Sequence, residues 1–245
     1  MHRKVLNFQL ICFLLFFQIT TNVLETISNV VQSDHKVIGL AQKQTKVLTS
    51  ILKSLDEMAV KLGDIARKTN KSFQIEKPNI ALVVKYSEPV NLDVLALENS
   101  NKSLTIDILP TDNEEKPDGT SRDNKRNETV NEIFFATSKV PEEAFKNESL
   151  VIYSYIFRED TFFQDEQKLE ALENNETPQS SILSAVLAVT VGKEKIENLA
   201  TPIVLKFKKL KKPNDPQINE NEFARNLCVF WNPNAGEIKF YQILI

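Results

Sequence analysis

Few side chains in this chain have the types and spacing that catalysis requires. The chain has two histidines, His2 and His35, of which at most one remains in the mature protein, so Ser-His or metal chemistry is short of parts. Gly-x-Ser-x-Gly, His-Glu-x-x-His and glycine-rich phosphate loops do not occur. Asp165 and Glu166 could serve as acid and base, but their polar linker offers nothing to raise a carboxyl pKa. The sequence therefore predicts a protein that is not an enzyme, with no cofactor, metal ion or small-molecule substrate.

The two cysteines lie near opposite ends of the chain. Cys12 lies in an apolar run that we expect to be removed, which leaves Cys228 alone in the mature protein. A single cysteine in an exported protein implies a missing partner, a free thiol or an intermolecular bond. A disulfide dimer through Cys228 is one of these alternatives. Cys228 also opens the motif Cys-x-Phe-Trp, whose Phe230 and Trp231 are typical of a disulfide-anchored aromatic corner.

The N-terminal residues have the order of a secretory signal peptide. Arg3 and Lys4 precede the apolar run 10–17, and the small polar residues Thr20 and Thr21 follow it. The run is shorter than the roughly 20 residues that span a membrane. We expect residues 1–21 to be cleaved, with retention as a membrane anchor as the alternative. The predicted location is the secretory pathway and then the extracellular space or cell surface.

Composition and glycosylation motifs agree with an exported protein. With 245 residues and 42% apolar residues, the chain can bury a core in one or two domains. The net charge of −3 argues against a nucleic-acid partner. Asn-x-Ser/Thr motifs predict a glycosylated surface at five positions, namely Asn70, Asn101, Asn127, Asn147 and Asn175.

Residues 22–77 have the pattern of a helical subdomain. From Val23 to Ala66 there is no proline, and apolar residues recur at steps of three and four. These residues are Val37, Leu40, Val47, Ile51, Leu55, Met58 and Leu62. The pattern predicts two helices that pack on a core, with a coiled-coil stalk as the alternative.

After Pro78 the period changes to two, which predicts strands. Ile80, Leu82 and Val84 alternate with residues 81, 83 and 85, as in a strand buried on one face. The stretches 104–109, 132–136 and 150–157 also favour strands, and Pro141 suits the start of a short helix. Residues 111–128 contain no large apolar side chain and predict a solvated loop.

The last strong strand pattern carries basic residues on one face. A strand ending at Val191 is followed by a turn at Gly192 and by a second strand, with Ile203, Leu205 and Phe207 on one face. Lys206 and Lys208 occupy the opposite face, which we interpret as its solvated side or as a guarded edge. The fold class predicted from the whole pattern is α+β, with helices followed by a mostly antiparallel β-sandwich.

The order of these segments resembles the GAIN domain of adhesion G-protein-coupled receptors, which also occurs in polycystin-like proteins. The resemblance rests on "VPEEAF", "SLVIYSYIF" and "SSILSAVLAVTVG", then "IENLATPIVLKFKKL", and finally "CVFW" with Cys228, Phe230 and Trp231 as the start of a GPS motif. It covers residues 24–232. It implies a helical subdomain A at 22–77, a sandwich subdomain B with a partial GPS motif at 78–237, and a divergent tail at 238–245.

The resemblance also implies what a complete GPS motif would do. There, the cysteine matching Cys228 pairs with a later cysteine, and a His-Leu-Thr or His-Leu-Ser tripeptide cleaves its own backbone through an N-to-O acyl shift. The strand beyond the cut is the receptor's internal agonist. After Trp231 this chain reads "NPNAGEIKFYQILI", without a further Cys, Trp or His.

These departures shape the functional expectation. We expect a non-catalytic extracellular GAIN-type ectodomain fragment that lacks the cleavage site, the agonist strand and the seven-helix domain. The alternative is the outer part of a complete adhesion receptor whose gene model is incomplete. Either protein would bind an extracellular protein or receptor that the sequence does not identify. Residues 238–245 are apolar enough to add a last strand to the sandwich, and the equal alternative is an intron-derived or mispredicted tail.

Overall fold

The computed structural model describes residues 2–33, 37–38, 41, 45, 47–111, 133–146, 148–158, 163, 184–193, 196–208, 228–232 and 237–241. For residues 2–12, 48, 228–232 and 237–241 it describes the backbone only. The long helices are α1 (His2–Val31) and α2 (Val47–Thr69). The strands are β1 (Phe73–Glu76), β2 (Ile80–Ser87), β3 (Leu92–Glu98), β4 (Leu104–Pro110), β5 (Ile133–Val140), β6 (Leu150–Phe157), β7 (Val186–Val191), β8 (Val204–Phe207), β9 (Cys228–Asn232) and β10 (Glu237–Tyr241).

The helices and the two larger sheets form three layers. The first sheet has the strand order β1-β2-β6-β7, and the second has the order β4-β3-β5-β8. Every strand pair in both sheets is antiparallel. Helix α2 contacts β2 and β6, and α1 contacts β2, so both helices cover the first sheet. The predicted α+β class and the stacked antiparallel sheets are confirmed.

The helices pack on the sheet and do not form a stalk. Five residues of α2 at helical spacing are buried against the first sheet, namely Leu52, Leu55, Ala59, Leu62 and Ala66. Leu24, Ile27 and Val31 of α1 lie in the same cluster. Between the helices, Ile38 is buried, whereas the predicted stripe member Val37 is 62% exposed. The prediction that Val37 faces the core is therefore wrong, because the neighbouring position takes the buried side.

Helix α1 continues through the predicted cleavage region around residue 21. Phe13 and Phe17 lie against Phe73 of β1, with ring centroids 5.2 and 6.2 Å away. Thr20 is fully buried, and its hydroxyl donates to the carbonyl of Phe16. Residues Phe13–Val31 are long and apolar enough to cross a membrane, a property that signal sequences and buried helices share. Cleavage after residue 21 stays a prediction.

Strand β2 is buried on both faces, which corrects the prediction of a half-buried strand. Ile80, Leu82 and Val84 lie under the helices, while Ala81 and Val83 face the second sheet. Alternation in the sequence could not reveal this, because Ala and Val on the second face are small enough to leave the pattern ambiguous. The first sheet also begins earlier than the sequence indicated, since β1 precedes Pro78.

Several other predictions agree with the structure. In β4, Leu104, Ile106 and Ile108 are buried between the sheets, whereas Leu109 is exposed. A short 3-10 helix follows Pro141 at Glu142–Phe145, and β6 lies inside the first sheet between β2 and β7. The turn after β7 is made by Gly192, whose φ of +65° suits glycine. The predicted loop at 111–128 lies almost wholly outside the described residues.

Strand β8 has the predicted alternation but lacks the burial. Leu205 pairs with Ser138 and Phe207 with Ala136, so they share the inner face of the second sheet. Leu205 is nevertheless 54% exposed and Phe207 is 40% exposed. The order of strands in the two sheets gives the reason. At one side of the sandwich β1 and β2 lie against β4, so the last strands of the two sheets, β7 and β8, lie at the opposite side. We call this side, with the inner-face residues Leu187, Val189, Leu205 and Phe207, the open side.

Residues near the C-terminus form a separate two-stranded sheet. Strand β10 pairs with β9 in antiparallel register, with Trp231 opposite Ile238 and Cys228 opposite Tyr241. The expectation that residues 238–245 extend the sandwich is wrong for 238–241, which pair with β9 and not with β8. Pairing with the preceding strand closes a short loop, which costs less chain entropy than a distant pairing.

Candidate functional site

Two of the five predicted glycosylation sites lie within the described residues. Asn70 follows α2 in a left-handed conformation and is exposed. Asn101 is exposed in the turn between β3 and β4, where its amide donates to the Asn99 Oδ1 at 3.0 Å. Both positions are accessible for a bulky glycan. The other three, Asn127, Asn147 and Asn175, lie outside the described residues.

The predicted GPS-like residues all lie on β9. In the backbone register of the hairpin, Cys228 lies opposite Tyr241, Phe230 opposite Lys239 and Trp231 opposite Ile238. The structural role predicted for Cys228, Phe230 and Trp231, and a disulfide dimer through Cys228, stay predictions.

A carboxylate fixes the segment that leads into β8. Glu143, in the short 3-10 helix, accepts hydrogen bonds from the backbone amides of Ala200, at 2.9 Å, and Thr201. The amide of Thr201, followed by that of Ala200, lowers the pKa of the Glu143 carboxyl. The side chain of Asn91 supports the same helix, since its Oδ1 accepts the Glu142 amide at 2.8 Å. The bonds between Glu143 and residues 200 and 201 link two of the segments that carry the family resemblance, "VPEEAF" and "IENLATPIVLKFKKL".

Arg158, just beyond β6, ties the two sheets together at the end of the sandwich where β6 terminates. Its Nη1 lies 2.5 Å from the Glu98 Oε2, and its Nε and Nη2 donate to the carbonyls of Pro78 and Lys102. The guanidinium also lies 5.4 Å from the Phe135 ring centroid. One side chain thereby joins three chain segments, a use that the planar guanidinium suits better than a lysine.

A second polar link joins α1 to the first sheet. The Nδ2 of Asn79 donates to the Ser28 carbonyl at 2.8 Å, and the Asn79 amide donates to the Ser28 Oγ at 3.2 Å. Both side chains are buried, so these bonds satisfy groups that would otherwise be costly to bury. Lys77 and Glu25 form an ion pair beside them. The register of α1 on the sheet is therefore fixed by directional bonds.

Titratable groups meet between α2 and β6. Burial raises the pKa of the half-buried Asp56 carboxyl. Burial also raises the pKa of Tyr153, with Thr190 acting against it through a hydrogen bond. The pKa of Tyr155 is also raised, first by burial and then by the charge of Asp56. This cluster lacks a nucleophile with an adjacent base, and it lies under a helix and not in an open cleft.

The described residues hold no group of His, Cys, Asp and Glu side chains that could bind a metal ion. Their polar clusters connect elements of the fold, which suits a structural or binding role. Sequence reasoning named "VPEEAF" but missed the roles of Glu143, Arg158 and Asp56. No local pattern indicates these contacts. The hydrogen-bond partners of Glu143 and Arg158 lie up to 80 residues away in the chain, and Tyr153 and Tyr155 lie even further from Asp56.

Comparison with protein families identifies the architecture. The model of the GPS family, described as GAIN subdomain B, matches residues 16–238. The chain belongs to this family. It therefore contains a GAIN domain of the kind found in adhesion G-protein-coupled receptors, as the motifs implied.

A solved structure shares the fold of this GAIN domain. The full extracellular region of zebrafish Gpr126/Adgrg6 superposes with a TM-score of 0.60 at 20% sequence identity. The match covers 91% of this chain and 26% of that chain, so the GAIN domain described here spans about a quarter of that extracellular region. No curated protein sequence matches the chain.

Proposed function

We propose that the chain is a non-catalytic, extracellular GAIN-type module of an adhesion-receptor-like protein. The observation that carries the proposal is the family match over residues 16–238. Its function is to present a rigid folded unit at or outside the cell surface, where it binds an extracellular protein or receptor. It does so without cleaving its own backbone.

The contacts within the domain support a structural and binding role. Arg158 and Glu143 each hold loops from separate parts of the chain, and Ser28 with Asn79 fixes a helix to the sheet. Such directional bonds keep a surface in one conformation, which lowers the entropic cost of binding a partner. The polar clusters of the described residues are engaged in these internal contacts.

The absence of self-cleavage is proposed from residue types. The acyl shift needs a hydroxyl nucleophile next to the scissile carbonyl and a base to accept its proton. The sequence contains no His-Leu-Thr or His-Leu-Ser, and neither His2 nor His35 lies near the Cys228 motif along the chain. No side chain of this sequence matches the base of the family mechanism.

Expression of the full chain in a secreting animal cell line tests the proposal. We expect the protein in the medium, with a gel mobility that changes on removal of N-linked glycans. We also expect a single polypeptide before and after hydroxylamine treatment. Retention in the cytosol without glycans would contradict the extracellular location, and a discrete internal cut would contradict the lack of self-cleavage. Matched variants with Asn70→Gln and Asn101→Gln should each remove one glycan.

A second function is favoured by one observation. The chain covers 26% of the matched extracellular region, so the same domain exists inside a longer protein. The alternative is that this sequence is the outer part of a complete adhesion G-protein-coupled receptor that acts in cell-surface signalling. Reading the transcript beyond the codon for Trp231 separates the two: a cysteine-rich stretch that ends in His-Leu-Thr would favour the receptor, and a stop codon after Ile245 would favour the secreted module.

A further inference from the structure

The apolar segment 13–21, which the sequence assigns to a cleaved signal peptide, packs on the folded domain. The ring centroids of Phe13 and Phe17 lie 6.2 Å apart, and they lie 5.2 and 6.2 Å from the ring centroid of Phe73 in β1. All three side chains are partly buried against the core beneath the helices. Two of the three rings in this cluster therefore come from residues that cleavage after residue 21 would remove.

Burial along α1 is one-sided and continues across residue 21. Thr20 and Leu24 are fully buried, and Phe16 packs against the same core. With Phe13 and Phe17 these positions recur at steps of three and four, which place side chains on one face of a helix. A signal peptide is defined by its charge, its apolar run and its cleavage site, whereas one-sided burial is the property of a helix that belongs to a folded core. The opposite face carries three apolar residues that are more than half exposed, namely Leu14, Leu15 and Ile19.

Helix α1 is continuous from His2 to Val31 and crosses the predicted cleavage position. The hydroxyls of Thr20 and Thr21 donate to the carbonyls of Phe16 and Phe17, at 3.0 and 2.9 Å. The first of these bonds satisfies a hydroxyl that is buried on the core side of the helix. Cleavage sites of signal peptides carry small residues in an Ala-x-Ala-like pattern. For a cut after residue 21, Ile19 would occupy the first of these small-residue positions.

Two further observations tie the segment to the domain. The family model begins to match at residue 16, so residues 16–21 belong to the matched GAIN domain. Further along the same helix, Ser28 is fixed to Asn79 by the two hydrogen bonds described above, which sets the position of α1 on the sheet. Removal of residues 13–21 would bring the Phe73 ring and the core surface beside it into contact with water, at a cost that rises with the apolar area exposed.

We propose that residues 13–21 stay in the mature protein as part of helix α1, so that any cleavage of the N-terminus takes place before Phe13. The segment serves as a permanent cover of β1 and not as a removable signal. The same residues cannot lie in a bilayer while Phe13 and Phe17 contact Phe73 of the folded sheet. The inference is independent of the proposed function, because an extracellular domain can keep this helix whatever partner it binds.

Mass spectrometry of the wild-type chain, expressed in a secreting animal cell line and purified without detergent, tests the proposal directly. After removal of N-linked glycans, we expect an intact mass that includes residues 13–21. Trypsin should release a peptide that ends at Lys36 and still contains Phe13 and Thr20, since residues 5–35 contain no lysine or arginine. A mature chain whose first residue lies beyond Phe13 would overturn the proposal. Recovery of the chain only in detergent extracts of membranes would also overturn it, because α1 would then lie in the bilayer.

A pair of variants in the full chain separates a folded helix from a signal. Phe17→Ala should lower the melting temperature of the purified protein by about 4–8 °C, because it removes a ring from the cluster on Phe73. The matched control is Leu15→Ala, which shortens an exposed side chain of the same apolar run and should change the melting temperature by less than about 2 °C. If the segment is removed, both variants give the same mature chain, so equal melting temperatures would contradict the proposal.

A double variant tests the contact itself. Phe17→Ala and Phe73→Ala remove two rings that touch, so the combined loss of melting temperature should be smaller than the sum of the two single losses. Simple additivity would show that the two rings are not in contact in the mature protein. The mass measurement on the wild-type chain decides the proposal even if a variant fails to fold.

Discussion

Strands β2 and β8 have similar sequence patterns but opposite environments. Both alternate large apolar residues with smaller or charged ones, yet β2 is covered on its two faces and β8 is exposed on both. Helices lie over one face of β2 and the second sheet lies over the other. Strand β8 is the last strand of its sheet, beyond the area that β1, β2 and β6 face. Burial of a strand is therefore decided by the layers around it.

The comparison also separates two kinds of function. The region around β2 fixes the fold, because its contacts with α1, α2 and β6 are buried and directional. The region around β8 is anchored at one end by Glu143 and leaves apolar surface available. Contiguous exposed apolar surface of this kind marks interaction sites in folded proteins.

The largest expected effect is the difference in lost stability between a variant in β2 and a variant in β8. Leu82→Ala should lower the free energy of unfolding by about 2–5 kcal/mol, because Leu82 is 1% exposed beneath the helices and its loss leaves a cavity. Val204→Ala, on the outer face of β8, should cost less than about 1 kcal/mol. Urea unfolding of the secreted chain measures both. Equal losses would show that the two strands do not differ as described.

A smaller effect is expected where α2 approaches β6. A Cβ added at Gly63 would lie 2.5 Å from the Val151 Cγ1, so Gly63→Ala should destabilise the domain by about 1–3 kcal/mol despite the better helix propensity of alanine. Thermal unfolding measures the loss.

The matched control for Gly63→Ala removes the clash. The double variant Gly63→Ala with Val151→Ala should be more stable than Val151→Ala alone, because the added methyl group then fills the space that the valine side chain has left. If the two changes were simply additive, the close approach of the helix to β6 would not be the cause.

The next effect concerns charge under the helix layer. The folded-state pKa of Asp56 is raised by burial above its ordinary 3.8, so the ionised carboxylate disfavours the folded state at neutral pH. This cost is relieved as the pH falls through the folded-state pKa and the carboxyl becomes protonated. Asp56→Asn should therefore raise the melting temperature at pH 7, and the gain should shrink towards pH 4.

A control for this prediction lies on the same helix. Glu57 is exposed, so Glu57→Gln should leave the melting temperature almost unchanged at both pH values. The prediction for Asp56 fails if Asp56→Asn lowers the melting temperature at pH 7, since that would mean the ionised carboxylate is favourably paired.

The smallest effect is local and lies before β8. Hydrogen bonds from the amides of Thr201 and Ala200 lower the pKa of Glu143 below 4.5, so its contribution is complete above pH 4.5 and is lost as the pH falls through the folded-state value. Glu143→Gln should speed amide hydrogen exchange at residues 200 and 201 at pH 7. Glu142→Gln is the control, because the hydrogen bonds to the amides of residues 200 and 201 come from Glu143, and the bond from Glu142 to Asn91 uses its backbone amide. If hydrogen exchange at the amides of residues 200 and 201 were unchanged in Glu143→Gln, Glu143 would not anchor this segment.

Patterns with short range were predictable from the sequence. The inner face of β4 follows from alternation, and the 3-10 helix follows from Pro141 with two acidic residues after it. The GPS-like motif and the sequons were also readable, since their recognition depends on residue type and spacing. The contacts of Arg158, Glu143 and Asp56 were not predictable, because each joins residues that become close only after distant parts of the chain have packed together.

The sequence by itself determined that helices are followed by strands and that the chain carries the motifs of a GAIN domain. Periodicity and local motifs are properties of neighbouring residues. Only the tertiary structure decided which apolar faces are covered. It placed β2 between two layers and β8 at an open side, since burial depends on the order of strands and on elements that are distant along the chain.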